Sequence, residues 1–399
     1  MQRYSAQLLL IGLTLDADCG LIRRATARTI QFMTRASRKS TPRDPVERAC
    51  ELNDAAVAAY NQGQQKKAER LFRRALRLLE EAEGTDSPDV ANIINSLAAI
   101  YENRCDYHEA ERLYERAVNI VKDLDGDADV ERLRLQSLAN LGRVYRVQGR
   151  YSSAEPLLLR GLALAEARFG GECLETATAL NDLGMLYKFT ARFKEAEPLY
   201  HRALAIIEQQ FGSDHPALAS IYHNLGGLEH ARGRYRRGEP FARRSVELRE
   251  RAYGPDHPEV AADVAALAAL LDGQGKYDEA EALYRRALST FERVYGHKHY
   301  EIAVNLNNLA AIYQARGELA EAEKLYKEAL AIKEKILGAD SIEAAMTANN
   351  LGVLYQIQGR LEEAKAMYER ALMIFEKALD PQHPSRVACR DNFEALIDR

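Results

Sequence analysis

The sequence predicts an all-α protein, a solenoid of antiparallel helix pairs, and three observations predict it. A unit of 42 residues recurs eight times along the 399-residue chain. Each unit holds two stretches in which apolar residues recur at i, i+3, i+4 and i+7, the spacing that gathers side chains on one face of a helix. Between and after the stretches stands a glycine or a polar turn, where a helix can stop because glycine tolerates the left-handed conformation. Such units stack on their neighbours into one continuous body, so the usual prior of two or three globular domains for this length does not apply.

In chain order, residues 1–46 stand apart as a basic and flexible N-terminal arm. Residues 1–43 hold eight Arg and Lys against Asp16 and Asp18, a charge of +6 that leaves −10 for the remainder. The apolar run 8–15 is far below the ~20 residues that span a bilayer. As a signal segment it has only Arg3 before it and a poor cleavage site, Asp16-Ala17-Asp18, after it. On a helix, Arg24, Arg28, Gln31, Arg35 and Arg38 would fall on one stripe and Ile22, Thr29, Met33 and Ala36 on the other. Residues 20–39 could therefore touch an anionic membrane or direct import into an organelle. A disordered tail and a start codon placed too early are the competing readings. Because the arm matches no repeat, deleting residues 1–45 is expected to leave the melting temperature within ~5 °C, the shift that would signal a structural role.

Residues 47–399 carry eight units and a C-terminal capping helix. Repeat 1 spans 47–84, with a degenerate first helix (Leu52, Ala55, Ala56), and repeat 2 spans 89–126. An acidic insertion at 125–129 makes the one 44-residue step, and repeat 3 starts near Val130. Repeats 4 to 8 start near Leu174, Pro216, Pro258, Tyr300 and Ile342. Repeat 7 is the clearest. Its first helix carries Leu306, Leu309, Ala310 and Tyr313, Gly317 interrupts, the second carries Leu319, Ala322, Leu325, Tyr326, Ala329 and Leu330, and Gly338 ends it. A lone helix over 384–398 has Glu394 where a small residue belongs, as suits an end with nothing stacked on it.

Aligned, the second helices show Ala68, Ala110, Ala154, Ala196, Gly238, Ala280, Ala322 and Ala364. Four residues on stand Phe72, Tyr114, Leu158, Tyr200, Ala242, Tyr284, Tyr326 and Tyr368. The first helices show Leu97, Leu141, Leu183, Leu225, Leu267, Leu309 and Leu351, each followed by Ala or Gly. This set resembles the tetratricopeptide repeat. The 42-residue step, the N-N-L-[AG]-x-L-Y and A-E-x-L-Y-x-R-A-L cores and the G-x-D-H-P loop resemble the kinesin-light-chain type. The resemblance implies a right-handed superhelix whose concave groove binds extended segments of partner proteins, a scaffold or adaptor without enzymatic activity. Kinesin light chains carry a heptad region before their repeats. Residues 1–45 are too short and lack heptads, so a scaffold or assembly factor fits better than a motor adaptor.

Composition excludes other classes. An array of net negative charge offers no basic field for nucleic acid. Five scattered cysteines with no C-x-x-C point to a reducing compartment, and so to the cytoplasm, rather than to disulfides or a zinc site. No phosphate-cradling loop, H-E-x-x-H or G-x-S-x-G occurs, so neither a catalytic constellation nor a cofactor is expected. His215, His257, His299 and His383 recur at the loop between units. They are too far apart to share a metal, and their place just before a helix start reads as capping.

The candidate binding residues are those on the first helices that point away from the second. They are Asn140, Arg143, Arg146, Asn181, Lys188, His223, Asn224, His230, Asn307, Asn308, Gln314, Asn349 and Asn350. Asparagine is a poor helix former, so a column of it needs a reason. It either bonds to the next repeat or holds the backbone of an extended peptide; the resemblance implies the second beside the column leucine. Arg143, Arg146, Lys188, His223 and His230 make repeats 3 to 5 the basic half, which favours acidic or carboxylate-bearing segments. Repeat 5 is the odd unit. Glu229 and Ala242 replace tyrosine, Gly238 and Ser245 replace alanine, and an arginine run follows, which reads either as a degenerate repeat with a solvated basic turn or as a flexible joint that doubles as an anion-seeking surface.

Overall fold

The computed structural model describes residues 44–61, 64–104, 106–124 and 126–397. The readings of the arm over residues 1–43 lie outside them. Among the described residues there are seventeen helices and no strand. They are α1 (Pro45–Asn61), α2 (Gln65–Glu83), α3 (Pro88–Asn103), α4 (Tyr107–Val121), α5 (Ala128–Val147), α6 (Tyr151–Phe169), α7 (Leu174–Phe189), α8 (Phe193–Phe211) and α9 (Leu218–Ala231). They continue with α10 (Tyr235–Tyr253), α11 (Pro258–Asp272), α12 (Tyr277–Tyr295), α13 (Tyr300–Ala315), α14 (Leu319–Leu337), α15 (Ile342–Ile357), α16 (Leu361–Ala378) and α17 (Pro384–Ile397). Odd-numbered helices are the first of each pair and even-numbered helices the second. The chain divides within α7, after Leu186, into two compact units.

The first helix begins at Pro45, two residues before the boundary expected at 47. The physical reason is local. Asp44 Oδ1 accepts the Val46 N–H at 3.1 Å, and proline suits a first helical turn, where an N–H would go unpaired.

The small-aromatic-small columns form the core. In the unit up to Leu186, Ala68, Phe72, Ala75, Ala110, Tyr114 and Ala117 are at most 2% exposed. In the unit from Tyr187, the same columns of α8, α12, α14 and α16 are fully buried. The small residue after the column leucine is sterically required in α15. A Cβ on Gly352 would lie 2.6 Å from the Tyr368 ring, closer than real side chains approach. Gly317 and Gly338 stop their helices at φ 82° and 90°. Within each unit, ion pairs stitch helix turns to the pair before them. Arg104 meets Glu69 and Arg150 meets Glu111 in one unit; Arg232 meets Glu197, Lys276 meets Glu239, Arg316 meets Glu281 and Arg360 meets Glu323 in the other.

Repeat 5 is filled differently from its neighbours. A Cβ on Gly238 would meet Leu270 Cδ2 at 2.6 Å, and one on Gly226 would meet the Ala242 backbone at 3.4 Å. The helices have closed over the missing tyrosine. Below them Arg249 is fully buried, with Nε 2.8 Å from Asp263 Oδ2, Nη1 3.0 Å from Glu259 Oε2 and Nη2 3.2 Å from Ser220 Oγ. Much of the arginine run is likewise engaged inside the unit. Arg232 pairs with Glu197 and Glu229, Arg243 with Glu239, and Arg244 with Asp214 and Glu247.

The loop histidines cap. Nδ1 of His257 and His299 accepts the N–H two residues on, at 3.2 and 3.3 Å, and His215 and His383 do the same at 3.2 Å. Tyr253 and Tyr295 stack on the rings of His257 and His299. Burial pushes His299 down to about 4, so this ring is neutral and its nitrogen can accept. Among the described residues no group of His, Cys, Asp and Glu could hold a metal, and no helix is long and apolar enough to cross a membrane.

Candidate functional site

The candidate residues sit on odd-numbered helices. In the unit up to Leu186, Asn140 Nδ2 donates to Asn95 Oδ1 at 3.4 Å, and Asn95 Nδ2 donates to Ser137 Oγ at 2.8 Å. Arg143 Nη2 reaches Glu102 Oε2 at 2.8 Å and Asn140 Oδ1 at 3.1 Å. Arg146 and Asn181 are buried, the Asn181 amide lying 3.9 Å from Met185 Sδ.

In the unit from Tyr187, Lys188 Nζ donates to Asn224 Oδ1 at 3.5 Å and lies over the Phe189 ring. His223 Nδ1 is 2.7 Å from Asp263 Oδ1, both groups buried. His230 packs edge-on against Tyr235. Burial, and next the Lys188 charge, push it down to about 4, so it adds no positive charge near neutral pH. Asn307 Oδ1 accepts from Asn350 Nδ2 and Thr347 Oγ1, both at 3.2 Å, and Asn307 Nδ2 reaches Asn308 Oδ1 at 3.4 Å. Asn349 Oδ1 accepts from Asn392 Nδ2 at 3.2 Å. Gln314 is buried, and its Oε1 has no hydrogen-bond partner among the described residues.

Three asparagine pairs, Asn95 with Asn140, Asn307 with Asn350 and Asn349 with Asn392, thus bond between successive repeats. The amide can donate and accept at once, and a net ~1 kcal/mol per buried bond offsets its poor helix propensity.

Sequence reasoning passed over two residues. Glu102 and Asp272 each stand five residues past the column leucine, in the row that also holds Arg146, Lys188, His230, Gln314 and Gln356. Glu102 is paired, by Arg143 and by the Tyr114 hydroxyl at 2.8 Å. Asp272 is half-buried, and burial pushes its carboxyl up to about 7. The repeat register was the signal that could have found both.

A cavity of about 60 Å³ lies in the unit up to Leu186, lined by Leu135, Ala139, Leu158, Gly161, Thr178 and Asp182 among others. It occurs where Leu158 and Gly161 replace the column tyrosine and alanine. A space of that size takes an aliphatic side chain, since one water needs roughly 10–15 Å³ on the same kind of measure.

No curated protein matches the sequence. Solved structures do. A Rap protein complexed with Competence and Sporulation Factor is 12% identical, with 88% of this chain and 98% of that one covered at a TM-score of 0.58. Aspartyl phosphate phosphatase F from Bacillus subtilis is 14% identical over 74% and 72%, at 0.55. A kinesin light chain from Podosopora anserina with nearly identical TPR-like repeats is 24% identical over 50% and 95%, at 0.39. The first two share the helical-repeat fold. The tetratricopeptide repeat family matches residues 47–123, 133–209, 189–237, 217–293, 261–335 and 344–385. The chain therefore belongs to the tetratricopeptide repeat family, whose fold is a scaffold for contacts between proteins.

Proposed function

We propose that the protein is a non-enzymatic scaffold that binds extended segments of partner proteins along the face of the odd-numbered helices turned from their pairs. One observation carries this reading. Lys188, His230, Asp272, Gln314 and Gln356 hold the same position in α7, α9, α11, α13 and α15, and among the described residues His230 Nε2 and Gln314 Oε1 of this row have no hydrogen-bond partner. Buried polar groups are costly unless matched, so a polar row with unmatched atoms suits a polar ligand. On α5, Arg143 and Arg146 favour an acidic segment or a C-terminal carboxylate, which would share Arg143 with Glu102 and Asn140. The cavity beside Leu158 and Gly161 would take an aliphatic side chain of that segment.

A photo-crosslinking side chain placed at Gln356, in the row, is expected to join the partner. The same group at Met373, 56% exposed on α16, is expected to stay unreacted. Crosslinking from position 373 and none from 356 would place the partner on the opposite face and end this reading.

A further inference from the structure

We propose that Asp272 receives one arginine of the partner's segment, whose guanidinium takes at repeats 6 and 7 the place that Arg143 fills at repeats 2 and 3. This inference deepens the peptide-binding reading above and rests on it.

The repeats supply their own comparison. At repeats 2 and 3 three groups meet. Glu102 stands five residues past Leu97. Its Oε2 accepts the hydroxyl of Tyr114, the column tyrosine of the same repeat, at 2.8 Å. It also accepts Arg143 Nη2 at 2.8 Å, and Arg143 comes from the next repeat, two residues past Leu141. Acid, phenol and guanidinium are all supplied by the chain.

At repeats 6 and 7 two of the three parts recur. Asp272 stands five residues past Leu267, and Tyr284 is the column tyrosine of its repeat. The position two residues past Leu309 is Ala311, which has no charge to offer. Among the described residues no cation pairs with the Asp272 carboxylate.

The surroundings are buried and polar, and they supply no cation. On either side of Asp272 in the row, His230 is 6% and Gln314 is 9% exposed. Among the described residues neither His230 Nε2 nor Gln314 Oε1 has a hydrogen-bond partner. The Tyr235 ring lies so close over Gly273 that a Cβ there would come within 2.5 Å of it. Burial, and next the Asp272 charge, raise the phenols of Tyr235 and Tyr326, so both feel the carboxylate. A guanidinium carries five donors in a planar fork and no acceptor, which matches a carboxylate flanked by an amide oxygen and an imidazole nitrogen. An ammonium offers a point charge without the fork.

The fold itself does not require an acid at this position. In repeat 8, Gln356 Oε1 accepts the Tyr368 hydroxyl at 2.9 Å, so a neutral amide serves at this position. An acid left without a cation in a half-buried row weakens the array, and a partner's arginine would remove that penalty on binding.

The test uses the full chain and two pools of decapeptides, random except for a fixed central arginine in one and its neutral isostere citrulline in the other. The arginine pool is expected to bind at least about tenfold more tightly, the scale of a charge-assisted hydrogen bond. Asp272→Asn should erase the preference while melting no lower than the wild type. Ala311→Arg, which builds the cation into the chain, should erase it too. It should also raise the melting temperature in the wild-type background and not in the Asp272→Asn background. Equal binding of the two pools, or a preference that survives Asp272→Asn, overturns the site and leaves the peptide-binding reading standing. Failure of both pools to bind the wild type overturns both.

Discussion

Replacing Asp263 by alanine should destabilise the unit from Tyr187 by about 3–5 kcal/mol, the usual effect of removing one partner from a buried ion pair. Asp263 is fully buried between two groups. Its Oδ2 lies 2.8 Å from Arg249 Nε and its Oδ1 lies 2.7 Å from His223 Nδ1. Arg249 is fully buried as well, so its charge cannot turn to water when the carboxylate goes. Glu259 at 3.0 Å remains, which places the effect toward the lower end of that range. In a stacked array the damage stays near the altered repeat. Urea unfolding followed by hydrogen exchange in α9, α10 and α11 is therefore the measurement. A loss under ~1 kcal/mol would show that the network is only a surface pair. Replacing Arg249 and Asp263 together by Met and Leu should recover most of the loss, because well-packed apolar residues can substitute for a buried ion pair.

Asp272→Asn should act in the opposite direction, and only above acidic pH. The carboxyl is raised from 3.8 to about 7 in the folded chain. Between those values the unfolded chain has released the proton and the folded chain still holds it. Stability contributed by this group is therefore greatest below about pH 4 and falls as pH rises through that window, with the full deficit reached above about 7. At 1.36 kcal/mol per unit the deficit approaches ~4 kcal/mol, and solvent contact of the half-buried group brings it to about 2–4 kcal/mol. Melting curves of wild type and variant should coincide near pH 4 and separate toward pH 8, the variant being more stable. Parallel curves across the range would show that Asp272 titrates normally and is well solvated.

The helix ends and the core columns were legible in the sequence because their causes are local. Histidine at 257 stands two residues from the Glu259 N–H it accepts, and proline at 258 suits a first helical turn, so capping followed from spacing alone. The columns were legible because eight copies of one pattern average out local noise, and the buried Tyr200, Tyr284, Tyr326 and Tyr368 stand where the register puts them. The inward polar residues were legible as a set, but not by their state. Arg143 meets Glu102 across 41 residues, His223 meets Asp263 across 40, and Asn350 meets Asn307 across 43. One step of the repeat, give or take two residues, brings these pairs together, and which of them touch depends on the rotation and distance between stacked helices.

The sequence by itself determined that this protein is a stack of helix pairs, where each pair starts and stops, and which side of each helix packs, because those features follow from periodicity and from residues close along the chain. Only the tertiary structure decided which charges are neutralised within the array and which are left over. Arg143 is met by Glu102 and Arg249 by Asp263, and Asp272 is left with no cation among the described residues, because a charge's partner is fixed by distance in space, which a repeating sequence narrows to a register but does not resolve to an atom.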